Sequence, residues 1–180
     1  MGLWHDKLNK TGKRLLSISG GQRGADSAGL AAAHDLGLPT GGYAPKGWKT
    51  LNGMNMKLSL LGLIEHKSDK YPPRTYDNVK LSDGTIRLAN DFNSPGEQCT
   101  LKAIEYYNKP HLDINLNDKP FLFDVIDWIE NNNIKVLNIA GNAGKTKEES
   151  IIIFNDVRQY LKSIFQNFIP EKINSNEKKT

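Results

Sequence analysis

Residues 14–37 read RLLSISGGQRGADSAGLAAAHDLG, and this stretch decides the fold. RLLSIS (14–19) is a short apolar run typical of a buried strand. GADSAGLAAAHDLG (24–37) has the composition of a small-residue helix that ends at a glycine. The glycines between the two segments let the backbone turn tightly or approach a ligand closely. The stretch therefore predicts a strand, a glycine loop and a helix.

The same order recurs along the rest of the chain. Further strands are predicted at GTIRLAN (84–90), HLDINL (111–116) and KVLNIA (135–140), and a short, glycine-broken strand is predicted at LPTGGYAP (38–45). Further helices are predicted over residues 72–83, where proline opens the helix, and over 97–108, 119–133 and 147–165, and residues 45–58 are predicted to form a long loop. Strands that alternate with helices predict an α/β fold, a Rossmann-like parallel sheet sandwiched by helices.

Three of these strands lead into a glycine-bearing turn and then a helix. The turns are GGQRG (20–24), DFNSPGEQ (91–98) and GNAGKT (141–146). Since parallel strands end at one edge of a sheet, we expect the three turns to meet there and offer helix N-termini to an anion. Glycine is also common in purely structural turns, so each single turn remains open to that interpretation. The third turn is not a Walker A loop, because two residues rather than four separate its glycines.

Composition narrows the class of protein. The chain has 180 residues, 24 basic and 20 acidic, for a net charge of +4, which suits an anionic small molecule. We expect one domain over residues 1–169 and a flexible polar tail over 170–180. No apolar leader or membrane-length segment is present, and the single cysteine fits a reducing cytoplasm. A membrane partner is not expected, and nucleic acid is a minor alternative because no basic stripe interleaves with aromatic residues.

The sequence gives little support for a metal site or for a nucleophilic residue. The four histidines are scattered without ligand spacing, so no metal site is predicted. Cys99 lies in the first turn of a predicted helix, where a thiol pKa can fall, but it has no histidine partner and is interpreted as a packed thiol. Tyr43 and Trp48 could stack on a base or pterin ring, or could close the core.

The segment SGGQRGADSAGLAAAHDLGLPTGGYAPKG (19–47) resembles the SGGQTGAD-type start of the circularly permuted YpsA-like branch of the SLOG superfamily. These proteins are Rossmann-like relatives of DprA and of the LOG phosphoribohydrolases, and some carry the name putative molybdenum carrier. Looser matches follow in order at YPPRTYDNVKLSDGT (71–85), SPGEQCTLKA (94–103), NKPHLDINL (108–116) and IKVLNIAG (134–141). The resemblance spans about 130 residues and implies an SLOG-type fold with a pocket for a nucleotide or nucleotide-derived ligand.

Carried over residue by residue, the resemblance implies a binding site in several short segments. They comprise Gly20, Gly21, Gln22, Gly24 and Asp26, then Pro45, Lys46 and Gly47, then Arg74, Thr75 and Asn78, and finally Ser94, Pro95, Gly96 and Thr100. The third glycine turn adds Gly141 and Asn142. Arg23 replaces the family's usual threonine and could add a phosphate contact or point to solvent. We expect Gly20, Gly21 and Arg23 to face an anion while Asp26 faces a donor such as a ribose hydroxyl or ring N–H.

The hydrolase branch has PGGxGTxxE where this chain has SPGEQCT. Glu97 replaces the second glycine, and no glutamate follows Thr100 at the expected place. Since glycosidic cleavage needs a positioned carboxylate, we predict no catalytic residue, although Asp26, Asp83 or Glu97 could reach the pocket. The function that we predict is non-catalytic binding of a dinucleotide, an ADP-ribose-like or cyclic nucleotide signal, or a pterin cofactor of the molybdopterin type.

Such a protein would act as a carrier, sensor or sequestering sponge. The alternatives are a nucleoside monophosphate phosphoribohydrolase-like enzyme and a single-stranded nucleic-acid binder. A homo-oligomer is also expected, because the run Ile151–Phe154 carries more apolar surface than one helix stripe requires, although a buried helix would explain the run equally well.

Overall fold

A computed structural model describes residues 2–169 of the chain. Five parallel strands form the main sheet: β1 (Leu16–Ile18), β2 (Thr40–Gly41), β7 (Gly84–Ala89), β8 (His111–Asn115) and β9 (Val136–Gly141). Their order is β2-β1-β9-β7-β8, and every neighbouring pair is parallel. The α/β prediction is therefore confirmed, and the three strands that lead into glycine turns lie side by side at the centre.

Six α-helices accompany the sheet within the described residues. They are α1 (Leu3–Asn9), α2 (Ala25–Asp35), α3 (Tyr71–Leu81), α4 (Pro95–Tyr107), α5 (Leu122–Asn131) and α6 (Lys147–Phe165). Helices α2, α5 and α6 share the main apolar core with one face of the sheet, which supplies Ile86, Leu88, Leu137 and Ile139. On the other face, Trp4 and Leu8 of α1 pack on Leu16, Ile18 and Val136. Helices α3 and α4 pack on each other through Val79, Ala103 and Ile104.

Several local predictions needed correction. The N-terminal segment, for which no element was predicted, forms the helix α1, held by the buried Trp4. The strand predicted over 38–45 divides, because Gly42 has a φ of 117° and lets β3 (Tyr43–Ala44) leave the main sheet and pair with β6 (Ile64–Glu65). The predicted loop 45–58 contains a 3-10 turn over Lys46–Trp48, the hairpin of β4 (Lys49–Thr50) and β5 (Gly53–Met54), and the start of a 3-10 segment over Met56–Leu61.

The last helix is only partly covered. Ile153 is buried, whereas Ile151 and Ile152 are exposed, so burial does not account for the whole apolar run. Self-association through this face stays a prediction. The polar tail over 170–180 lies outside the described residues. No helix within residues 2–169 is long and apolar enough to cross a bilayer.

Candidate functional site

A cavity of about 750 Å³ opens where β1, β9 and β7 end. It lies at the carboxyl edge of the sheet, the place at which open parallel sheets bind ligands. The three glycine turns and the first turns of α3 and α4 contribute to its wall. Twelve of the predicted residues line it: Gly20, Gln22, Asp26, Arg74, Thr75, Asn78, Ser94, Pro95, Gly96, Thr100, Gly141 and Asn142. The structure thus brings these residues together, and their contact with a ligand stays a prediction.

Six predicted residues do not line the cavity. Gly21 lies against Leu58 and Leu63, and its N–H donates to the Ser19 hydroxyl at 3.0 Å. Gly24, with a φ of 78°, faces the backbone of Asn142 and Ala143, so it serves loop packing. These two glycines therefore shape the turn from outside the cavity.

The other four residues are Arg23, Pro45, Lys46 and Gly47. Hydrogen bonds to neighbouring segments hold them outside the cavity wall. The Arg23 guanidinium donates to Asn52 and to the carbonyl of Gly144, which turns it away from the cavity. The segment Pro45, Lys46 and Gly47 is held against β6 and the residues that follow it. Lys46 N–H donates to the Ser68 carbonyl, and Gly47 N–H donates to the Glu65 carboxylate.

The Asp26 carboxylate lies against the backbone of the first glycine loop. This buried group accepts the Gln22 backbone N–H at 3.4 Å and a backbone hydrogen bond from Gly20. Burial raises the pKa of Asp26 to about 6, while Arg74 and these two N–H groups act in the opposite direction. The N–H groups of Gly20, Gly21 and Gln22 therefore have acceptors within the chain. The expected division, with glycines facing an anion and Asp26 facing a ligand donor, stays a prediction.

Arg74 is the main positively charged residue of the cavity wall. Its side chain is nine-tenths buried. Its guanidinium lies directly on Gly20, where a Cβ would occupy the same space. Asp26 Oδ2 is 3.7 Å from Nη1, which is an ion pair rather than a hydrogen bond. No protein atom among residues 2–169 accepts a hydrogen bond from this guanidinium, and its Nε is fully buried. Burial lowers the pKa of Arg74, and the Asp26 charge opposes this effect.

Other polar residues of the cavity wall have structural partners. Asn78 accepts the Tyr43 N–H at 2.7 Å and donates to the Tyr43 carbonyl at 3.2 Å, so its amide holds β3 rather than a ligand. The hydroxyls of Thr75 and Thr100 donate to carbonyls one helical turn earlier, each at 3.1 Å. Both the oxygen and the nitrogen of the Asn78 amide are therefore engaged within the chain, and a ligand contact of Asn78 stays a prediction.

Asn142 joins two of the glycine turns. Its Oδ1 accepts the N–H groups of Asn90 at 2.9 Å and Asp91 at 3.1 Å, and its Nδ2 donates to the Asp91 carbonyl at 3.1 Å. Its carbonyl accepts the N–H of Ala25 at the start of α2. This side chain and backbone fix the three loops relative to one another.

Glu97 was not among the predicted binding residues, yet it lies in the cavity wall. Its side chain is 4% exposed, and Oε2 lies 3.9 Å from Nη1 of Arg87. Arg87 binds both oxygens of Asp113 on the adjacent strand β8, as register predicts for the pair Arg87 and Asp113. Burial raises the pKa of Glu97 to about 7, Arg87 lowers it, and the carboxylates of Asp26, Asp113 and Asp91 add to the increase.

The structure also bears on the interpretations of Cys99, Tyr43 and Trp48. Burial raises the pKa of Cys99, so the expected benefit of a helix N-terminus is outweighed. Tyr43 packs edge-on against Trp4 and His66, and Trp48 packs on the cluster of Leu30, so neither aromatic ring faces the cavity. Within residues 2–169, no three His, Cys, Asp or Glu side chains are grouped to hold a metal ion.

The site can act through two buried groups of opposite charge. Arg74 can donate to an anionic or carbonyl oxygen, and Glu97 can accept from a donor or exchange a proton near neutral pH. Tyr71, Pro72 and Ile139 add apolar surface to the same cavity. Asp83, which was considered for the pocket, instead accepts from His5 and from the N–H groups of Lys135 and Val136.

Comparisons with known proteins agree with this architecture. The model of the circularly permutated YpsA SLOG family matches residues 17–165. The chain is also similar to the crystal structure of a putative molybdenum carrier protein from Syntrophus aciditrophicus SB, with 34% identity and a TM-score of 0.73. That match covers 84% of this chain and 96% of the other. The search of curated proteins gave no match. On both the sequence and the fold, the chain belongs to the circularly permutated YpsA SLOG family.

Proposed function

We propose that the protein binds a nucleotide-derived or pterin-type small molecule in this cavity without transforming it, and acts as a carrier, sensor or sequestering sponge. The observation that carries the proposal is the buried Arg74 guanidinium, none of whose donors is accepted within the described chain. A buried charged donor without an acceptor is costly, and a ligand oxygen would remove that cost.

The size and lining of the cavity support a small molecule. Its volume of about 750 Å³ falls in the range usual for sites that enclose a cofactor or a drug-sized ligand. Among residues 2–169, the acidic side chains that line it are Asp26, Asp91, Glu97 and Glu149, and the basic ones are Arg74 and Lys145. This balance disfavours a ligand with several phosphates and favours one anionic group joined to a neutral ring with donors.

The family relationship supports the same class of ligand. SLOG proteins resemble nucleotide-binding Rossmann-like domains, and the similar solved structure carries the name of a molybdenum carrier. A molybdopterin-type cofactor has a pterin ring and a phosphate, and therefore presents both ring donors and an anion. We infer that this cofactor and a nucleoside monophosphate-like signal are the two ligand types that the cavity suits best.

The proposal can be tested by recovering the ligand. Protein purified from cells is denatured, and the released small molecules are identified by mass spectrometry. In parallel, thermal unfolding is followed with nucleotides, ADP-ribose, cyclic nucleotides and pterins. A bound ligand at about one hundred times its Kd should stabilise the fold by roughly 2–3 kcal/mol. The exposed Arg158, paired with Asp35, provides a matched control.

Arg74→Gln should abolish the stabilisation, and Arg158→Gln should preserve it. A protein that releases no small molecule and is stabilised by no member of the panel would contradict the proposal. Equal binding by wild-type protein and Arg74→Gln would show that the ligand lies elsewhere. A homo-oligomer stays part of the proposal because Ile151 and Ile152 are exposed, and light scattering would measure it.

A hydrolase remains the second candidate for one reason. Two carboxyl groups with raised pKa values, about 6 for Asp26 and about 7 for Glu97, line one cavity, an arrangement that suits general acid–base chemistry. A phosphoribohydrolase-like enzyme would release the free base from a nucleoside monophosphate, and Glu97→Gln or Asp26→Asn would stop the release. Binding without base release over long incubation would favour the carrier over the enzyme.

A further inference from the structure

Asp26 and Arg74 form an ion pair in the cavity wall without a hydrogen bond between the two groups. Asp26 Oδ2 lies 3.7 Å from Arg74 Nη1, and the two side chains are 8% and 10% exposed. The carboxylate has other donors, because it accepts the Gln22 N–H at 3.4 Å and a backbone hydrogen bond from Gly20. The guanidinium has no acceptor within residues 2–169. The charges of the pair are therefore balanced, while the donors of Arg74 are unused.

The donors of Arg74 can be reached from the cavity. Of its three guanidinium nitrogens, only Nε is fully buried, and the side chain lines the cavity. Gly20 lies directly against the group, and the Tyr71 ring centroid lies 5.8 Å from its central carbon. A ligand oxygen can therefore accept a hydrogen bond from Nη1 or Nη2 while Asp26 stays where it is.

A bound anion would place two negative charges beside one buried guanidinium. Like charges that share a site cannot both stay ionised at low cost, so one of them takes up a proton. Burial already raises the pKa of Asp26 to about 6, and the Arg74 charge opposes a further increase. An anion that binds Arg74 weakens this opposition. At pH 7 the protonation of Asp26 then costs only about ten-fold in affinity, since each pKa unit is one factor of ten.

Glu97 is a second buried carboxyl group of the wall, but the cation beside it is a different one. Its Oε2 lies 3.9 Å from Nη1 of Arg87, and the Arg87 charge lowers its pKa. Burial raises the pKa of Cys99, so this thiol is neutral at pH 7. The remaining ionisable side chains of the wall are Tyr71, Asp91, Lys145 and Glu149. Among residues 2–169, Asp26 is the acidic residue that pairs with Arg74, so an anion on Arg74 acts first on Asp26.

We propose that Asp26 is a resident counter-anion for Arg74 and that an anionic ligand binds together with one proton. The ligand oxygen binds the guanidinium, and the Asp26 carboxylate takes up a proton from the solvent, while no bond of the ligand is broken. The inference rests on the proposed function and adds its regulation, because binding becomes tighter as the pH falls and weaker as it rises. A carrier or sponge of this kind loads at low pH and releases at high pH.

The test follows affinity against pH with anions that do not titrate in the range used. Sulfate, cyclic AMP and ADP-ribose keep their charge from pH 6 to pH 8, and the probe is any of the three whose binding is lost in Arg74→Gln. The dissociation constant of the wild-type protein should rise about ten-fold or more over this range. Calorimetry at pH 7, in two buffers of different ionisation enthalpy, should show uptake of about one proton per ligand.

Variants assign the proton to one carboxyl group. In Asp26→Asn, the dissociation constant should change by about three-fold or less from pH 6 to pH 8, and at pH 8 the variant should bind the anion more tightly than the wild type. Glu97→Gln should keep most of the wild-type dependence. So should Asp127→Asn, an exposed replacement on α5, whose described residues Leu122–Asn131 lie outside the cavity wall. Proton uptake is measured on the wild-type protein, so it remains decisive should Asp26→Asn fold poorly.

The outcomes separate this inference from the proposed function. A dissociation constant that stays within about two-fold from pH 6 to pH 8, without proton uptake, would overturn the inference. Arg74-dependent binding of the anion would then still support the proposed function. A dependence that disappears in Glu97→Gln and persists in Asp26→Asn would overturn the role of Asp26. If none of the three anions binds in an Arg74-dependent manner, the inference is overturned, and the ligand recovered from purified protein then decides the proposed function.

Discussion

Replacing Glu97 by glutamine should change how the stability of the unliganded protein depends on pH. The pKa of Glu97 is about 7 in the folded protein against 4.5 in the unfolded chain. Because the folded-state value is the higher one, the native state holds this proton more tightly. The contribution of protonated Glu97 to the free energy of unfolding is therefore complete below about pH 4.5 and is lost as the pH rises through 7.

The size of the effect follows from the difference of the two pKa values. Each pKa unit corresponds to about 1.4 kcal/mol, so the wild-type protein should lose about 3 kcal/mol between pH 4 and pH 8 through this group alone. Glu97→Gln cannot ionise and should not lose it. The free energy of unfolding of the variant minus that of the wild type should therefore rise by about 3 kcal/mol over this range. The offset caused by the amide itself is constant and does not affect the slope.

Urea unfolding followed by tryptophan fluorescence at five pH values would measure this difference. The buried Trp4 makes fluorescence a suitable probe of global unfolding. Glu105→Gln, an exposed replacement of the same type on α4, serves as the control and should give a flat difference. A difference for Glu97→Gln that varies by less than about 1 kcal/mol from pH 4 to pH 8 would refute the buried, unpartnered carboxyl group.

Four further predictions concern residues around the cavity. Gly24→Ala should lower the free energy of unfolding by about 1–3 kcal/mol, because its φ of 78° and the adjacent backbone of the third loop oppose a Cβ, and denaturant titration would measure this loss. The three atoms nearest to a Cβ at Gly20 all belong to the Arg74 guanidinium, which can move. Gly20→Ala should therefore change stability less than Gly24→Ala but remove ligand-induced thermal stabilisation, and a larger loss of stability for Gly20→Ala would contradict the contacts described. In the wild-type protein the Arg74 charge lowers the pKa of Asp26, so Arg74→Met should raise this pKa above about 6. Carbon-detected NMR titration would measure the pKa, and an unchanged value would contradict the ion pair. Asn142→Ala removes three hydrogen bonds and should cost roughly 2–4 kcal/mol, with faster amide exchange in the second loop; unchanged exchange would contradict its bridging role.

The path of the chain was largely predictable from sequence. The segment SISGGQRGAD carries a strand, a turn and a helix start in order, and two later segments repeat the pattern. Since parallel strands end at one edge, the meeting of the three turns followed from topology alone. The division of residues 38–45 between two sheets could not be predicted, because it depends on where β6 lies after an intervening hairpin.

The chemistry of the cavity was less predictable. The loop SGGQRGAD has the composition of an anion site, but the composition does not reveal that Asp26 accepts its N–H groups. The sequence did contain one indication of the buried charges around Arg87. This arginine interrupts the apolar strand TIRLA, and a buried arginine needs acidic partners. Those partners, Asp113 and Glu97, become apparent only through the register of β7 with β8 and the placement of α4.

The position of β9 has a consequence for how the protein folds. This strand lies between β1 and β7, so Leu16 pairs with Val136 across most of the chain length. The segment that contains β1 and β2 thus lacks its central neighbour until the late strand is inserted, and contacts so distant in sequence close slowly. During synthesis, a nascent chain that ends before residue 136 would have neither a continuous sheet nor a complete cavity. The cavity should therefore be complete only after the final α/β unit has emerged, so the proposed ligand binding would indicate that folding is complete.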